Sequence, residues 1–150
     1  MNRDSRKSDA PKLLMDFVPR AVPDGTVSHG VNEEEGQMAA TYEDAALVVQ
    51  LVRWGTEMGL EEAGRALFAD EFDAEAASVD DSPVGKMLAF GETVSTLVKH
   101  GILDKDLILD LWAVQAAWDR VGPAARRERE RLGEPRFCEN FEALVSNAGQ

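Results

Sequence analysis

One carboxylate lies in a setting where it could do chemistry. Glu92 stands among apolar residues, within one helical turn of Phe90 and Val94. Burial raises the pKa of an unpaired carboxyl group, so Glu92 would act as an acid–base group, as a cation ligand or as the partner of an arginine. Arg126 and Arg127 are the obvious candidate partners. Because buried carboxylates are usually paired, we favour a structural ion pair.

The other reactive groups lack the neighbours that catalysis or metal binding needs. Cys138 is the only cysteine, and neither His29 nor His100 is tied to it by a motif that would make it nucleophilic. Asp104 and the acidic residues after it lack the glycine and closing glutamate of a calcium loop. One cysteine and two histidines are too few for an ordinary zinc site. We therefore predict no catalytic residue, no metal and no cofactor.

An alternative hypothesis joins Glu92 to Arg127 and Trp118. These three side chains would line a pocket between helices, in a small-molecule-binding or catalytic helical bundle. Large aromatic residues at helical spacing usually fill a core, so we favour a core role for the tryptophan. The alternative predicts a pocket that reaches all three side chains.

The overall charge excludes several classes of partner. The chain of 150 residues has a net charge of −12 at pH 7, whereas nucleic acids and anionic membranes attract clustered positive charge. Charged residues interrupt every apolar stretch, so we expect no membrane insertion. The sequence shows no signal peptide, and a lone cysteine provides no disulfide framework. We expect a cytoplasmic protein.

The negative charge is concentrated in one part of the chain. Residues 41–82 hold eleven acidic and two basic residues, a net charge of −9. Such a surface would suit a basic partner, although solvation alone is the commoner reason for it.

The first 40 residues differ from the rest of the chain. They carry three prolines and three glycines and show no sustained hydrophobic period, so we predict an extended, flexible tail followed by a helical domain over residues 41–150. A short apolar segment over residues 13–18 either packs back onto the domain or docks on a partner. Its candidate binding residues are Leu13, Leu14, Met15, Phe17 and Val18.

Local signals predict the helices of the domain. A capping box at Thr41 begins a helix whose apolar face includes Leu47, Val48, Leu51, Val52, Gly55 and Met58, and a shorter helix follows over residues 61–70. After an exposed connection over residues 70–81, Ser82 and Pro83 begin a widely apolar helix. Gly101 ends that helix in a Schellman-type turn, with Ile102 folding back on it.

The second half of the domain begins at Asp104, which caps the next helix. We expect this helix to continue to Gly122-Pro123, since proline cannot continue the hydrogen-bond ladder. A polar, Arg-rich helix over residues 124–132 and a final helix opened by Pro135 complete the chain. The predicted fold is an all-α bundle of five to six helices around a central antiparallel hairpin, about 83–121.

One set of residues also resembles a known family. The segment Glu92 to Asp104 reads Glu-Thr-Val-Ser-Thr-Leu-Val-Lys-His-Gly-Ile-Leu-Asp, and the later matching residues are Leu107, Ile108, Leu111, Trp118, Pro123, Arg127 and Phe137 to Leu144. Together they resemble a bacterial family of small all-helical proteins that is described only as a domain of unknown function. The resemblance covers about residues 42–145 and leaves out the first 40. It implies an all-α fold and supplies no activity.

Two functions are therefore open at this stage. The first is a non-enzymatic protein–protein interaction protein, or an accessory subunit of a larger assembly, that binds a protein partner through its tail, its acidic 57–81 region or both. The second is the small-molecule-binding or catalytic bundle that uses Glu92 and Arg127. The wide apolar faces leave homo-oligomerisation open as well.

Overall fold

The computed structural model describes residues 39–147, and within that range it contains six helices and no strand. The helices are α1 (Tyr42–Glu57), α2 (Leu60–Leu67), α3 (Ser82–Lys99), α4 (Lys105–Leu111), α5 (Val114–Leu132) and α6 (Glu139–Ser146). The prediction of an all-α fold is confirmed. The predicted tail, 1–40, lies outside the described residues except for its last two positions.

The core is organised around α3, which packs against α2, α5 and α6. The most deeply buried large side chains come from helices α2 to α6 and from the turn before α4. They include Leu67, Val84, Leu103, Ile108, Val121 and Phe141. Phe90 of α3 also stacks on Trp54 of α1, with the ring centroids 5.5 Å apart. Burying a side chain of this size contributes about 1.5–3 kcal/mol relative to exposure.

The predicted start of α1 is confirmed, and it has a tertiary role. Thr41 and Asp44 form a capping box in which the Thr41 amide donates to Asp44 Oδ2 at 2.6 Å and the Asp44 amide donates to Thr41 Oγ1 at 3.2 Å. The other oxygen of Asp44 accepts from the Asp104 amide at 3.0 Å. The hydrogen bonds from the Thr41 amide and hydroxyl, and then from Asp104, lower the pKa of Asp44. The capping box therefore also ties α1 to the start of α4.

The predicted turn after α3 is confirmed, with one change of residue. Gly101 has a φ of 66°, its amide donates to Val98 O at 3.0 Å, and the Ile102 amide donates to Leu97 O at 2.9 Å, as in a Schellman motif. However, Ile102 is 54% exposed and Leu103 is buried. Leu103, rather than Ile102, is therefore the residue of this turn that is buried in the core. Asp104 caps α4 as predicted, accepting from the Leu107 amide at 2.7 Å.

The prediction of one continuous helix from Asp104 to residue 121 is wrong. α4 ends at Leu111, Trp112 is extended with φ −129° and ψ 140°, and α5 begins at Val114. In this conformation the Trp112 ring meets Phe90 edge-on, with the centroids 5.4 Å apart. The predicted central antiparallel hairpin over about 83–121 is therefore not confirmed, because its second half is divided between α4 and α5, and α3 packs against α2, α5 and α6.

The expectation that Gly122-Pro123 ends a helix is also wrong, because α5 continues through Pro123 to Leu132. Val121, Gly122, Ala124 and Ala125 are all buried, so tertiary packing maintains the helix although proline removes one ladder hydrogen bond. The Arg-rich segment over residues 124–132 is the second half of α5 rather than a separate helix.

Two predicted helix starts shift by a few residues. Asp81, rather than Ser82, is the N-cap residue of α3, and Pro83 lies in the first turn as expected. The last helix begins at Glu139 rather than at Pro135, because residues 135–138 form turns before it.

The contact between α3 and α6 requires a glycine. A Cβ atom added to Gly91 would overlap the ring of Phe141, whereas one added to Gly64 of α2 would meet nothing within 4 Å. We therefore expect Gly91→Ala to lower the free energy of unfolding by about 1–3 kcal/mol through overpacking. The matched control, Gly64→Ala, should leave it unchanged or raise it by up to about 1 kcal/mol, because alanine favours helix. Urea denaturation measures both, and equal effects would contradict this packing.

Candidate functional site

The carboxylate of Glu92 caps a helix to which it does not belong. Cys138, the N-cap residue of α6, makes no side-chain cap hydrogen bond. Instead Glu92 Oε2 accepts from the Phe141 amide at 2.9 Å, and Oε1 accepts from the side-chain amide of Asn140 at 2.8 Å and from its backbone amide at 3.4 Å. These backbone groups are among the amides that a helix start leaves without intrahelical partners. The negative charge also lies at the positive end of the α6 dipole.

Asn140 extends this junction along α3. Its side-chain amide also donates to Thr96 Oγ1 at 2.9 Å, and its side-chain oxygen accepts from Lys99 Nζ at 2.9 Å. Three consecutive turns of α3 therefore hold one residue of α6, and Glu92 belongs to this structural network.

Two arginines of α5 hold α6 from another direction. Arg129 donates to Phe137 O at 2.7 Å and to Cys138 O at 3.2 Å, and it pairs with the carboxylate of Glu142. Arg126 donates to the same carboxylate at 2.9 Å. Partial burial opposes ionisation, but the hydrogen bonds from Arg129 and Arg126 outweigh it and lower the pKa of Glu142. Glu142 is therefore an ion-paired structural carboxylate.

Arg127 points to a different part of the molecule. It donates to Ala77 O at 2.6 Å and to Ala74 O at 3.3 Å, and its ion pair is with Glu75 at 3.6 Å. It therefore holds the connection between α2 and α3 against α5. Among residues 39–147 no ion pair joins Glu92 to Arg127, so the structure separates the two groups that the sequence analysis considered as a pair.

Trp118 is a core residue. It is buried, its ring meets Phe141 with the centroids 5.1 Å apart, and the Arg126 guanidinium lies 5.7 Å from its ring centroid. A Cβ on Gly122 would lie 2.8 Å from the indole, so the glycine makes room for it. Trp118 and Glu92 thus both contact Phe141, one through its ring and the other through its amide.

A shallow groove runs beside the Glu92 junction, between α3 and α6. Its volume is about 540 Å³, and it is lined by Ser95, Val98, Lys99, Lys105, Glu139, Asn140, Ala143, Leu144 and Asn147. None of Glu92, Trp118 and Arg127 lines it. Both lysines already have partners: Lys99 bonds to Asn140, and Lys105 donates to Asn147 O at 2.7 Å. The groove therefore does not provide the pocket that the alternative hypothesis predicts.

The Cys138 side chain is buried and poorly suited to nucleophilic chemistry. Burial, followed by the negative charge of Glu92, raises the pKa of its thiol to about 11, although the positive charge of Arg129 opposes the shift. A nucleophilic cysteine needs the opposite shift. Cys138 also has a φ of 53°, the only left-handed non-glycine residue in the described range. It forms the sharp turn from which α6 starts.

One surface was missed by the sequence analysis. Tyr42 is 88% exposed and Val49 61%, both on the side of α1 that faces away from Leu51 and Gly55, and Val52, 50% exposed, lies at the edge of that side. Ala45 and Ala46 are also exposed on this side. We call these five residues the α1 apolar face; two exposed polar residues, Arg53 and Thr56, lie on the same side of the helix. The signal in the sequence was the presence of apolar residues all round α1, but Val52 was assigned to the buried side and is half exposed.

Three further expectations concern the segment 13–18, metal binding and membrane insertion. The candidate binding residues in the segment 13–18 lie outside the described residues. Between residues 39 and 147, no group of three or more His, Cys, Asp and Glu residues is placed to hold a metal ion. None of the described helices combines the length and hydrophobicity that a membrane span requires.

Comparison with protein families identifies the domain. A family model described as Domain of unknown function (DUF4760) matches residues 57–147, more than half of the chain. The chain belongs to this family. The match covers the last residue of α1, all of α2–α6 and the Glu92 junction, but not the rest of α1 or the residues before it. No curated protein and no solved structure matches the chain significantly.

The capping role of Glu92 predicts a loss of stability on its removal. Glu92→Ala should lower the free energy of unfolding by about 2 kcal/mol, because two backbone amides and one side-chain amide lose a charged acceptor. Glu92→Gln should destabilise less, since its oxygen can still accept while its NH₂ group opposes another donor. As a control, Glu61→Ala removes an exposed ion pair with Arg65 within α2 and should cost less than about 0.5 kcal/mol. Equal urea midpoints for the alanine variants would contradict the capping role.

The raised pKa of Cys138 predicts low reactivity. At pH 8 the thiolate fraction should be roughly a hundredfold smaller than that of an ordinary thiol, and burial further hinders the reagent. A disulfide reagent followed by absorbance should therefore label the folded protein slowly and the urea-unfolded protein quickly. Ser146→Cys places a control thiol at an exposed position of α6 and should add one fast-reacting group. Fast labelling of the unsubstituted, folded chain would contradict the buried, neutral thiol.

Proposed function

We propose that this protein is a non-enzymatic interaction protein, an accessory subunit that binds another protein through the α1 apolar face. The supporting observation is the exposure of Tyr42, Val49 and Val52 on one side of a helix whose other side is buried. Scattered apolar residues on a surface are ordinary. A set aligned along nearly three turns of one helix is typical of a face that packs against another segment.

The charge around this face supports a basic, amphipathic partner segment. Glu43 and Glu57, near the two ends of α1, are exposed, and together with Asp44 and Arg53 they give this helix a net charge of −2. Arg53 is the only basic residue on α1. A partner with apolar residues flanked by lysine or arginine would bury the apolar face and gain from this charge, which favours association rate and specificity.

The polar network around Glu92 supports the non-enzymatic part of the proposal. Its carboxylate, the Arg127 guanidinium and the Glu142 carboxylate are all bonded to neighbouring segments of the same chain. Groups held in this way have a structural use that needs no substrate. A single cysteine provides no internal disulfide, which is usual in a reducing compartment, and we propose a cytoplasmic location on that ground.

An affinity capture with matched variants tests the interaction. The full-length chain, tagged at its C terminus, is expressed in its native cells and cross-linked before capture, and the captured proteins are identified by mass. We expect Val49→Asp to abolish capture of a partner, because the substitution puts a charge in the centre of the apolar face. Gln50→Asp should retain the partner, because it adds the same charge at an exposed position about 100° around the helix.

The outcome is decisive only if both variants remain folded. Circular dichroism and urea midpoints close to those of the unsubstituted chain provide that control. Recovery of the same proteins by the unsubstituted and Val49→Asp chains would overturn the proposal, and so would recovery of no protein above the untagged background.

A further inference from the structure

We propose that the α1 apolar face is the docking site of the chain's own residues 13–18, so that a partner must displace this segment to bind. The competition between residues 13–18 and a partner rests on the function proposed above. The contact between residues 13–18 and α1 does not, because it is argued only from the properties of these two segments.

The first argument is that the two surfaces match in character. Five of the six residues over 13–18 are apolar, with Asp16 as the exception. The α1 apolar face has no cover from the rest of residues 39–147, as the exposure of Tyr42 and Val49 shows. Contact between them would remove both sets of apolar side chains from water, and each fully buried one contributes about 1.5–3 kcal/mol.

The second argument is proximity along the chain. Residues 19–40, 22 in number, connect the segment to Thr41, the N-cap of α1. A chain of this length can span up to about 70 Å, whereas α1, with 16 residues, is about 24 Å long. Every position along the face is therefore within reach. A tethered segment also competes at an effective concentration in the millimolar range, which an outside partner must overcome.

The third argument is charge complementarity. Residues 1–20 contain five basic and three acidic residues, a net charge of +2 in a chain whose total is −12. Lys12 and Arg20 flank the segment 13–18 closely, and exposed Glu43 and Glu57 lie near the ends of α1. The segment therefore has the character proposed above for a partner: apolar residues between basic ones.

A second copy of the chain fits the face less well. Two copies would bring together two chains that each carry a net charge of −12, and this repulsion opposes their association.

Paramagnetic relaxation in the full-length chain tests the contact without any partner. A nitroxide label is attached through Asp16→Cys, which leaves the five apolar residues of the segment intact. Cys138 is buried with a thiol pKa of about 11, so the unsubstituted chain should react only slowly and take up little label in the time that labels Asp16→Cys. We expect the amide signals of residues 45–52 to lose most of their intensity, while those of residues 124–132 in α5 keep theirs.

Matched variants decide whether the α1 apolar face is responsible. In the labelled chain, Val49→Asp should restore the signals of residues 45–52, and Gln50→Asp should leave them broadened. Phe17→Asp, a change within the segment, should restore them as well and leaves the helical domain untouched. Persistence of the broadening in both Val49→Asp and Phe17→Asp would overturn the proposal.

Mixing experiments separate the segment from a second copy. Labelled chain without ¹⁵N is mixed with unlabelled ¹⁵N chain, and an intramolecular contact predicts no broadening in the mixture. Broadening of residues 45–52 there would replace the proposal by self-association. If the singly labelled chain shows no broadening at all, the intramolecular contact is overturned, while the function proposed for the face still depends only on the capture experiment.

Discussion

A helix that begins inside a protein needs acceptors for its first amides, and in this domain Glu92 supplies them from another helix. Its carboxylate bonds to the amide of Phe141, while the neighbouring Gly91 makes room for the Phe141 ring. Two consecutive residues of α3 therefore fix the same residue of α6, one through its backbone and one through its side chain. Because Phe141 also packs on Trp118 of α5, this contact sets the relative positions of three helices.

The same junction explains why the residues that look chemically active are structural. A carboxylate among apolar residues is costly unless its charge is compensated, and the α6 amides provide that compensation. Arg129 donates to the carbonyl oxygens of Phe137 and Cys138. Because the backbone of Cys138 is left-handed, these two residues do not continue a regular helix. The polar side chains thus satisfy the backbone at a sharp turn. Residue type alone cannot distinguish this use of a buried charge from catalysis.

Short-range signals in the sequence predicted the parts of the fold that short-range interactions determine. The capping box of Thr41 and Asp44, the left-handed Gly101 and the Asp104 cap each involve residues within a few positions of one another. The break at Trp112 could not be predicted in this way, because the extended tryptophan meets a ring of α3 that is far away in sequence. Continuation of α5 through Pro123 likewise depends on the burial of its neighbours.

The partner of Glu92 could not be predicted from the sequence for a related reason. Charge pairing suggested an arginine, but the bonded groups are the side-chain amide of Asn140 and two backbone amides 48 and 49 residues away, and every residue except proline carries a backbone amide. Backbone donors leave no trace in residue type, so only the fold reveals them. Trp118, by contrast, was correctly favoured as a core residue, because size and apolarity determine where an indole packs.

α1 shows what the apolar pattern of a helix leaves undetermined. Apolar residues occur all round it, yet only Leu51 and Gly55 among them are buried against the described part of the chain. The rest of the domain can cover one side of a helix at the edge of the fold, and the other side must be covered by something else or stay in water. The buried side of α1 is joined to the core by Leu51 and by the stacking of Trp54 on Phe90. The uncovered side takes no part in these contacts, so the packing of the core does not account for its apolar residues.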